Sequence, residues 1–393
     1  MKPRALIAGA GIGGLAAAIA LARAGYEAAV FERADVLEEI GAGIQVTPNA
    51  SRALGHLGAL EAVEQSALAP SAIRIFRGRD GAELSRLPLD AQRRWGAPYL
   101  VLQRAALQRA LVETAAREPS ISLTLGVEVG GFSDDGSGVT LGLKRGLLRL
   151  AERGDLLIGA DGLRSIVRER LGLGKHDEPR FSNRVAFRAT IDAGAAPIRA
   201  RERDVSLHLG PKAHLVHYPV AGGALVNIVA VIESDWRAAA GDQPWDGEAD
   251  RAALARAFAR WSREARALIE AAQNWRAWPL HNRPPISAMA RGRVALLGDA
   301  AHPMLPFLAQ GAAQAIEDAD ILAECLSATS DVADGLAAYS RHRAPRAARM
   351  QKASEDQTQL YHVSGLPAAA RDIGMRAMGP ERLLRRYDWI YGG

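Results

Sequence analysis

Three short apolar runs in this 393-residue chain each end in a glycine-bearing turn, and two of those turns also carry an aspartate. The first is Ala5-Leu-Ile-Ala8, followed by Gly9-Ala-Gly11-Ile-Gly-Gly14 and a long apolar stretch; a second run, Glu27-Ala-Ala-Val-Phe31, ends in Glu32. At that spacing Gly9 makes a tight turn, Gly11 lets a pyrophosphate approach the backbone and Gly14 allows a helix to pack closely on a strand. An acid at the place of Glu32 binds the hydroxyl pair of a ribose. Asp155-Leu-Leu-Ile158 leads in the same way into Gly159-Ala-Asp161-Gly162, and Val294-Ala-Leu-Leu297 into Gly298-Asp299, with Gln310-Gly311-Ala312 opening a helical pattern beyond it. A strand that ends in Gly-Asp and feeds a helix N-terminus sets a carboxylate beside free backbone N–H groups. Asp299 can then accept from sugar hydroxyls while the helix end holds negative charge.

These residues need a βαβ frame. The pattern predicts strands at Ala5–Ala8 and Glu27–Phe31, with a helix from about Leu15 to Ala24 closed by Gly25 at the position after its C-cap. A helix over Gln103–Arg117 holds Arg104 in its first turn, where an arginine serves either as a surface residue or as a pyrophosphate contact. Residues 72–100 read as short strands, and residues 121–160 as a small antiparallel sheet. Between 176 and 280 the pattern changes to a meander, Asp204–Leu209, Ala213–Tyr218 and Ala224–Ile232, with turns at Gly210-Pro211 and Gly222-Gly223. In its middle strand His214, Val216 and Tyr218 share one face, and Leu215 and His217 the other. On spacing alone His214 reads as a histidine hydrogen-bonded on a half-buried strand. One amphipathic helix is expected over Arg251–Ala272, and after Pro345 a tail that is helical and polar, then less regular, with Tyr387, Trp389 and Tyr391 near the end. The division that follows is a discontinuous nucleotide-binding domain (1–71, 101–175 and 281–345), a β-sheet domain (72–100 and 176–280) and a C-terminal helical tail (346–393).

Composition excludes several classes. Hydrophobic residues make up 48% of the chain, enough for a large core, and the single cysteine, Cys325, rules out an internal disulfide and multi-cysteine zinc sites. No metal-ligand cluster stands out. The formal charge is +5, but the basic residues are scattered and no basic stripe interleaves with aromatics, so nucleic acid is not an expected partner. A mildly positive surface draws anionic small molecules. Leu6–Ala24 has the apolarity of a signal peptide, but its glycines belong to the turn described above; no other stretch approaches membrane-spanning length. A cytoplasmic protein, monomeric or homodimeric, with no membrane partner is expected.

Together, Gly9-x-Gly11-x-x-Gly14 with Glu32, Asp161-Gly162, and Gly298-Asp-Ala-Ala-His-Pro…Pro306…Gln310-Gly311…Glu317-Asp318-Ala319 resemble the single-component, FAD-dependent aromatic hydroxylases, the family of 4-hydroxybenzoate and salicylate hydroxylases. The likeness extends over nearly the whole chain. It implies an α/β fold, with a Rossmann-like FAD-binding domain and a second domain built on an antiparallel β-sheet. It implies that Gly9, Gly11, Gly14, Glu32 and Arg33 hold the ADP half of FAD and that Arg104 meets the pyrophosphate. Asp161 would serve FAD and NAD(P)H binding, Asp299 would lie on the ribityl and pyrophosphate region, and Gly311 and Ala312 would sit by the flavin pyrimidine edge. The segment Gly-Pro-x-x-His214-x-x-x-Tyr218-Pro219 is similar to 3-hydroxybenzoate 6-hydroxylase and 6-hydroxynicotinate 3-monooxygenase, where the matching His and Tyr contact substrate. Gln45 and Phe307 stand where a hydroxynicotinate enzyme would have histidines, and Pro306 where the hydroxybenzoate enzyme has a polar amide. These three are pocket positions, and neither relative's substrate carries over.

The chemistry so implied is reduction of FAD by NADH or NADPH, capture of O2 as a flavin C4a-hydroperoxide, and hydroxylation of a small aromatic acid of the hydroxybenzoate, salicylate or hydroxypyridine-carboxylate kind. His214 would be the base for the substrate hydroxyl and Tyr218 would position it, while Met304–Leu308 would help exclude water. The absence of a second nucleotide-binding fingerprint fits transient NAD(P)H binding. The same fold performing epoxidation or oxidative decarboxylation, and a non-catalytic FAD-binding module, are the alternatives that product analysis and substrate-stimulated NAD(P)H oxidation separate.

Overall fold

Fully apolar runs have no face to give to water, so they assemble as the interior of a parallel sheet. In the computed structural model, which describes residues 2–37, 43–173, 177–235, 247–248 and 251–392, Ala5, Leu6, Ile7 and Ala8 are each 0% exposed. They lie in a six-stranded sheet of order Ala290–Arg291, Val294–Leu296, Leu156–Gly159, Arg4–Ala8, Glu27–Phe31, Ile121–Thr124. All neighbours are parallel except the pair at the Ala290–Arg291 edge. Helix Ile12–Arg23 is buried over almost its whole length and packs on helix Gly311–Ser327. The approach is close because Gly13 has no side chain: a Cβ there would come within 2.7 Å of Leu297 and 3.2 Å of Ala315. The first helix ends as expected at Gly25, which has φ +94°; the Gly25 and Tyr26 N–H groups donate back to the carbonyls of Ala22 and Leu21.

The second sheet has eight strands, in the order Gly247–Glu248, Arg276–Asn282, Arg180–Asp192, Leu225–Glu233, Ala213–Val220, Asp204–Gly210, Ala72–Arg77, Glu83–Pro88. It is antiparallel apart from one parallel pairing, Asp204–Gly210 with Ala72–Arg77. Alternation sets its two faces. Leu215, Ile228, Ala230 and Phe187 pack with Leu254, Phe258 and Leu268 of the helices outside the sheet. His214, Val216, Tyr218, Val229 and Val231 face the other way, into a cavity shared with the parallel sheet.

Three local expectations are corrected. Residues 121–160 do not form one small sheet: Ile121–Thr124 joins the parallel sheet, and only Glu128–Asp134, Val139–Arg145 and Leu148–Gly154 make the antiparallel meander. The helix expected over Arg251–Ala272 is two helices, Arg251–Phe258 and Arg263–Ala271, the second capped by the Ser262 hydroxyl accepting from Ala265 N–H. Trp261, in the break, fits against Gly78 and Gly210, where added Cβ atoms would lie 2.5 and 2.4 Å from its ring. The C-terminal region is more regular than expected. Helix Val332–His362 runs through Pro345 and is followed by helices Gly365–Arg385 and Asp388–Tyr391. Tyr391 is buried with its ring edge-on to Trp95. No described helix is long and apolar enough to cross a membrane. The sequence Glu39-Ile-Gly-Ala-Gly43, whose glycines suggest a close approach of the backbone to a neighbour, has its Glu39–Ala42 part outside the described residues.

Candidate active site

Parallel pairing puts Phe31, Ala8, Gly159 and Leu296 in one row across the sheet. The three turns that follow these strands therefore emerge side by side at one sheet edge, around the strand Arg4–Ala8 where the order reverses. Open α/β sheets bind ligands at such an edge. The glycines fit this crowding. Gly9 has φ +98°, and a Cβ on it would lie 2.5 Å from the carbonyl oxygen of Ala160; a Cβ on Gly14 would lie 1.9 Å from the carbonyl oxygen of Gly9. Nothing stands within 4 Å of the Cβ direction of Gly11 or Gly311.

One cavity of about 320 Å³ joins this edge to the eight-stranded sheet. Gly11, Arg104, Ala160, Gly162, Gly298, Asp299, Gly311 and Ala312 line one side, and Gln45, Arg188, His214, Val216, Tyr218 and Pro306 the other. Asp299 is deep in the protein yet open to the cavity; burial raises its pKa, and His302 and Arg104 pull it back. Helix Gly311–Ser327 begins there with no side-chain cap, so its first N–H groups face the space. Strand pairing sets Val216 opposite Val229 and Val229 opposite Arg188, which brings one guanidinium onto the same face as His214 and Tyr218. It stacks 5.5 Å from the ring of Trp278.

Other expected residues are placed apart from this cavity. Glu32 accepts from the N–H groups of Ala10 (2.8 Å) and Ala34 (2.9 Å), beside the first turn but outside the cavity wall, and Arg33 next to it is exposed. The Asp161 carboxylate is turned onto its own helix, accepting from the Ser165 hydroxyl (2.5 Å) and Val167 N–H (3.2 Å). Phe307 sits behind His214, ring centroids 5.1 Å apart, and does not line the cavity.

The third turn is held by a buried polar network. One oxygen of Asp318 accepts from Gly298 N–H (2.9 Å) and His302 Nε2 (2.6 Å), and the other from Arg343 Nε (2.6 Å). The charges of His302 and Arg343 overcome burial and hold Asp318 at about 2. Arg343 also pairs with Glu317, which accepts from Asn49 Nδ2 at 2.9 Å. Arg168, fully buried, donates to the carbonyls of Ala300 (3.1 Å) and Ala301 (2.6 Å), tying the second turn's helix to the third turn. On the sheet side, the Asn227 side chain accepts from Gly43 N–H at 2.6 Å, and the Tyr99 hydroxyl donates to Gln45 at 2.5 Å. Glu317-Asp318 was visible in the sequence as part of a motif, while Asn49, Arg168 and Asn227 carried no spacing signal; Arg343 lies in the basic run Arg341–Arg349, which reads as a solvated helix face, yet it is 2% exposed.

His214 is 3% exposed and Tyr218 2%. Burial is the main cause that drops His214 well below the usual histidine range, helped by His362 and Arg184, and it is also the main cause that raises Tyr218. At neutral pH the site presents a neutral imidazole and a protonated phenol. His214 Nδ1 lies 2.8 Å from Nε2 of His362, a residue the sequence reading did not single out. His208 and His217 pair on the opposite face, Nε2 to Nε2 at 3.1 Å.

An FAD binding domain family matches residues 2–354. The chain is 37% identical over 396 residues to a 3-amino-4-hydroxybenzoate 2-monooxygenase of Streptomyces platensis, covering 100% of this chain and 96% of that one. It is 34% identical to a 3-hydroxybenzoate 6-hydroxylase of Polaromonas naphthalenivorans, covering 98% and 95%. Among solved structures, Klebsiella pneumoniae HpxO complexed with FAD and uric acid superposes with a TM-score of 0.85 at 28% identity, covering 98% of this chain and 95% of that one.

Proposed function

The chain belongs to the family of single-component FAD-dependent aromatic hydroxylases, and from that footing we propose that it uses NADH or NADPH and O2 to hydroxylate the ring of a small aromatic acid that already carries a ring hydroxyl. The observation that carries this reading is the cavity joining the three nucleotide-type turns to a neutral histidine and a tyrosine on the sheet. The residues fit FAD. Gly11 leaves its Cβ direction open, Asp299 presents a carboxylate to the cavity, and an uncapped helix end stands at Gly311. Gly9, Gly11, Gly14, Glu32 and Arg33 would hold the adenosine side, Arg104 the pyrophosphate, Asp299 the ribityl chain, and Gly311 with Ala312 the flavin ring edge. When bound, FAD would carry electrons from NAD(P)H to O2, which supplies the oxygen that is inserted.

The protein's own part is to bind, ionise and shield. His214, kept neutral by burial, accepts the proton of the substrate hydroxyl, which makes the ring a better nucleophile. The Tyr218 hydroxyl stays protonated and orients that oxygen. Arg188 faces the substrate carboxylate from strand Arg180–Asp192, the next but one in the sheet. Met304 and Pro306 close the wall nearest the reacting atoms and keep water out. Three hydroxybenzoates (salicylate, 3-hydroxybenzoate and 3-amino-4-hydroxybenzoate) and 6-hydroxynicotinate are the compounds to screen with the FAD-loaded protein, following NADH and NADPH oxidation, hydrogen peroxide and product mass. The expected result is stimulated oxidation with little peroxide and a product heavier by one oxygen. A protein that retains no FAD, or that is stimulated by none of the acids, would remove the reading.

A further inference from the structure

His214 touches the cavity through one ring nitrogen and His362 through the other. Its Nδ1 lies 2.8 Å from His362 Nε2. His362 closes helix Val332–His362 and is 6% exposed. Its remaining nitrogen, Nδ1, has no hydrogen-bond partner among the described residues, and Glu233 Oε1 is 3.8 Å from it. Glu233 ends strand Leu225–Glu233, and its side chain is 34% exposed. Three titratable groups thus lead in sequence from the cavity wall to water.

Two neutral imidazoles can share a hydrogen bond only if one donates and the other accepts. If His214 is to accept a proton at Nε2, its Nδ1 must carry hydrogen and donate to His362 Nε2. His362 must then carry its own hydrogen on Nδ1, the nitrogen toward Glu233. The geometry points to His362 and Glu233 as a relay that carries the substrate's hydroxyl proton from His214 to solvent, His362 being a positioning residue that acts through His214. The proton arrives at Nε2 of His214, the Nδ1 proton passes to Nε2 of His362, and the Nδ1 proton of His362 leaves to Glu233 and the water beside it. One proton enters and one leaves, and both rings end neutral in the other tautomer.

The surroundings suit a relay. Phe307 and Tyr361 pack on His214 with ring centroids 5.1 and 5.3 Å away, which excludes water from the inner end. His362 is lowered to about 3 by burial first, then by Arg184 on strand Arg180–Asp192 and Arg371 on helix Gly365–Arg385. Arg184 also reaches Glu233, at 3.5 Å. The backbone N–H of Lys212 donates to the His362 carbonyl and fixes the helix end. A ring this hard to charge passes a proton on instead of holding it.

This inference rests on His214 being the base, and the test separates the two. FAD-loaded wild type, His214→Asn, His362→Gln and Glu233→Gln are mixed in a stopped-flow instrument with 4-hydroxy-3-nitrobenzoate, whose phenolate is coloured, in H2O and D2O across pH. FAD content and melting temperature serve as folding controls. The expected result is that ionisation of the bound phenol slows about tenfold or more in His362→Gln, with a larger solvent isotope effect, and that Glu233→Gln changes the pH profile of that step. If only His214→Asn slows ionisation, the base stands and the relay falls. If His214→Asn has no effect either, or the wild type does not ionise the probe, the base reading falls first. Nitrogen-15 NMR of histidine-labelled wild-type holoenzyme needs no variant: a cationic His214 or His362 at neutral pH would overturn the relay by itself.

Discussion

Two glycines of the first turn look alike in sequence and meet different constraints in space. A Cβ on Gly14 would lie 1.9 Å from the backbone oxygen of Gly9, while a Cβ on Gly11 would touch nothing. Backbone cannot step aside as a flexible side chain can, so Gly14→Ala forces helix Ile12–Arg23 away from its strand, and overpacking of that kind costs about 1–3 kcal/mol or more. Gly11→Ala costs the empty protein almost nothing, but it places a methyl group where the pyrophosphate is proposed to lie. The expectation is that Gly14→Ala lowers both the apoprotein's melting temperature and its FAD affinity. Gly11→Ala should leave the apoprotein melting temperature unchanged and weaken FAD by about tenfold or more, since even ~1.4 kcal/mol of crowding is a tenfold change. Melting curves of stripped protein and flavin-fluorescence titrations read the two effects separately. An equal loss of apoprotein stability in both variants would mean that Gly11 is a packing glycine and does not face a ligand.

At the scale of elements, the third turn depends on a helix far along the chain. Arg343 lies between Glu317 and Asp318, and the other oxygen of Asp318 carries Gly298 N–H and His302. Removing this arginine leaves one oxygen of the buried Asp318 without its partner and takes one of two arginines from Glu317, which keeps Arg346; breaking a buried pair in this way costs about 3–5 kcal/mol. It also frees the turn that aims Asp299. Arg343→Met should therefore melt well below wild type and release FAD, whereas Arg341→Met, at an exposed position of the same helix, should melt like the wild type. A small shift for Arg343→Met would show that the network is not what holds the turn. The contrast explains what the sequence could reveal. Gly9-x-Gly11-x-x-Gly14, Asp161-Gly162 and Gly298-Asp299 were legible because a turn is a local act, performed by adjacent residues whose types are restricted. Their meeting at one edge depends on strand order, which no single motif states. The partnership of Arg343 with Asp318, and of His362 with a histidine 148 positions away, depends on where helix Val332–His362 lands. The broken helix near Trp261 has the same origin: its aromatic ring answers to Gly78 and Gly210 in another part of the chain, a demand that helical periodicity does not register.

For the molecule as a whole, four deeply buried imidazoles among the described residues are folded into places that refuse protons, and the half-buried His281 is lowered as well. His208 and His362 are lowered to about 3, and His214 and His217 well below the usual range, burial being the largest cause each time. The unfolded chain has no such restraint and protonates its histidines near pH 6.5. Above that pH neither state binds these protons and stability is complete. Below it the unfolded state binds more, and each neutral histidine subtracts about 1.4 kcal/mol of stability per pH unit until its folded pKa is reached. Asp161, Asp204, Glu264 and Asp299 are raised by burial and act in the opposite sense, since the folded form holds their protons more tightly. Glu317 and Asp318, both lowered, add to the loss only at still lower pH. The direct measurement is proton uptake when the protein unfolds in urea at a pH of about 5.5, one unit below the free histidine value. There each of the four imidazoles takes up about nine-tenths of a proton. The four raised carboxyls offset part of this and His281 adds to it, and the expected balance is net uptake. His208→Gln should reduce it by about one, because a single imidazole has been removed from the balance. An uptake that His208→Gln leaves unchanged would mean that the folded protein carries charge on this ring. A charged His214 could not accept a proton from a phenol, so this bulk titration also bears on the chemistry proposed for the site.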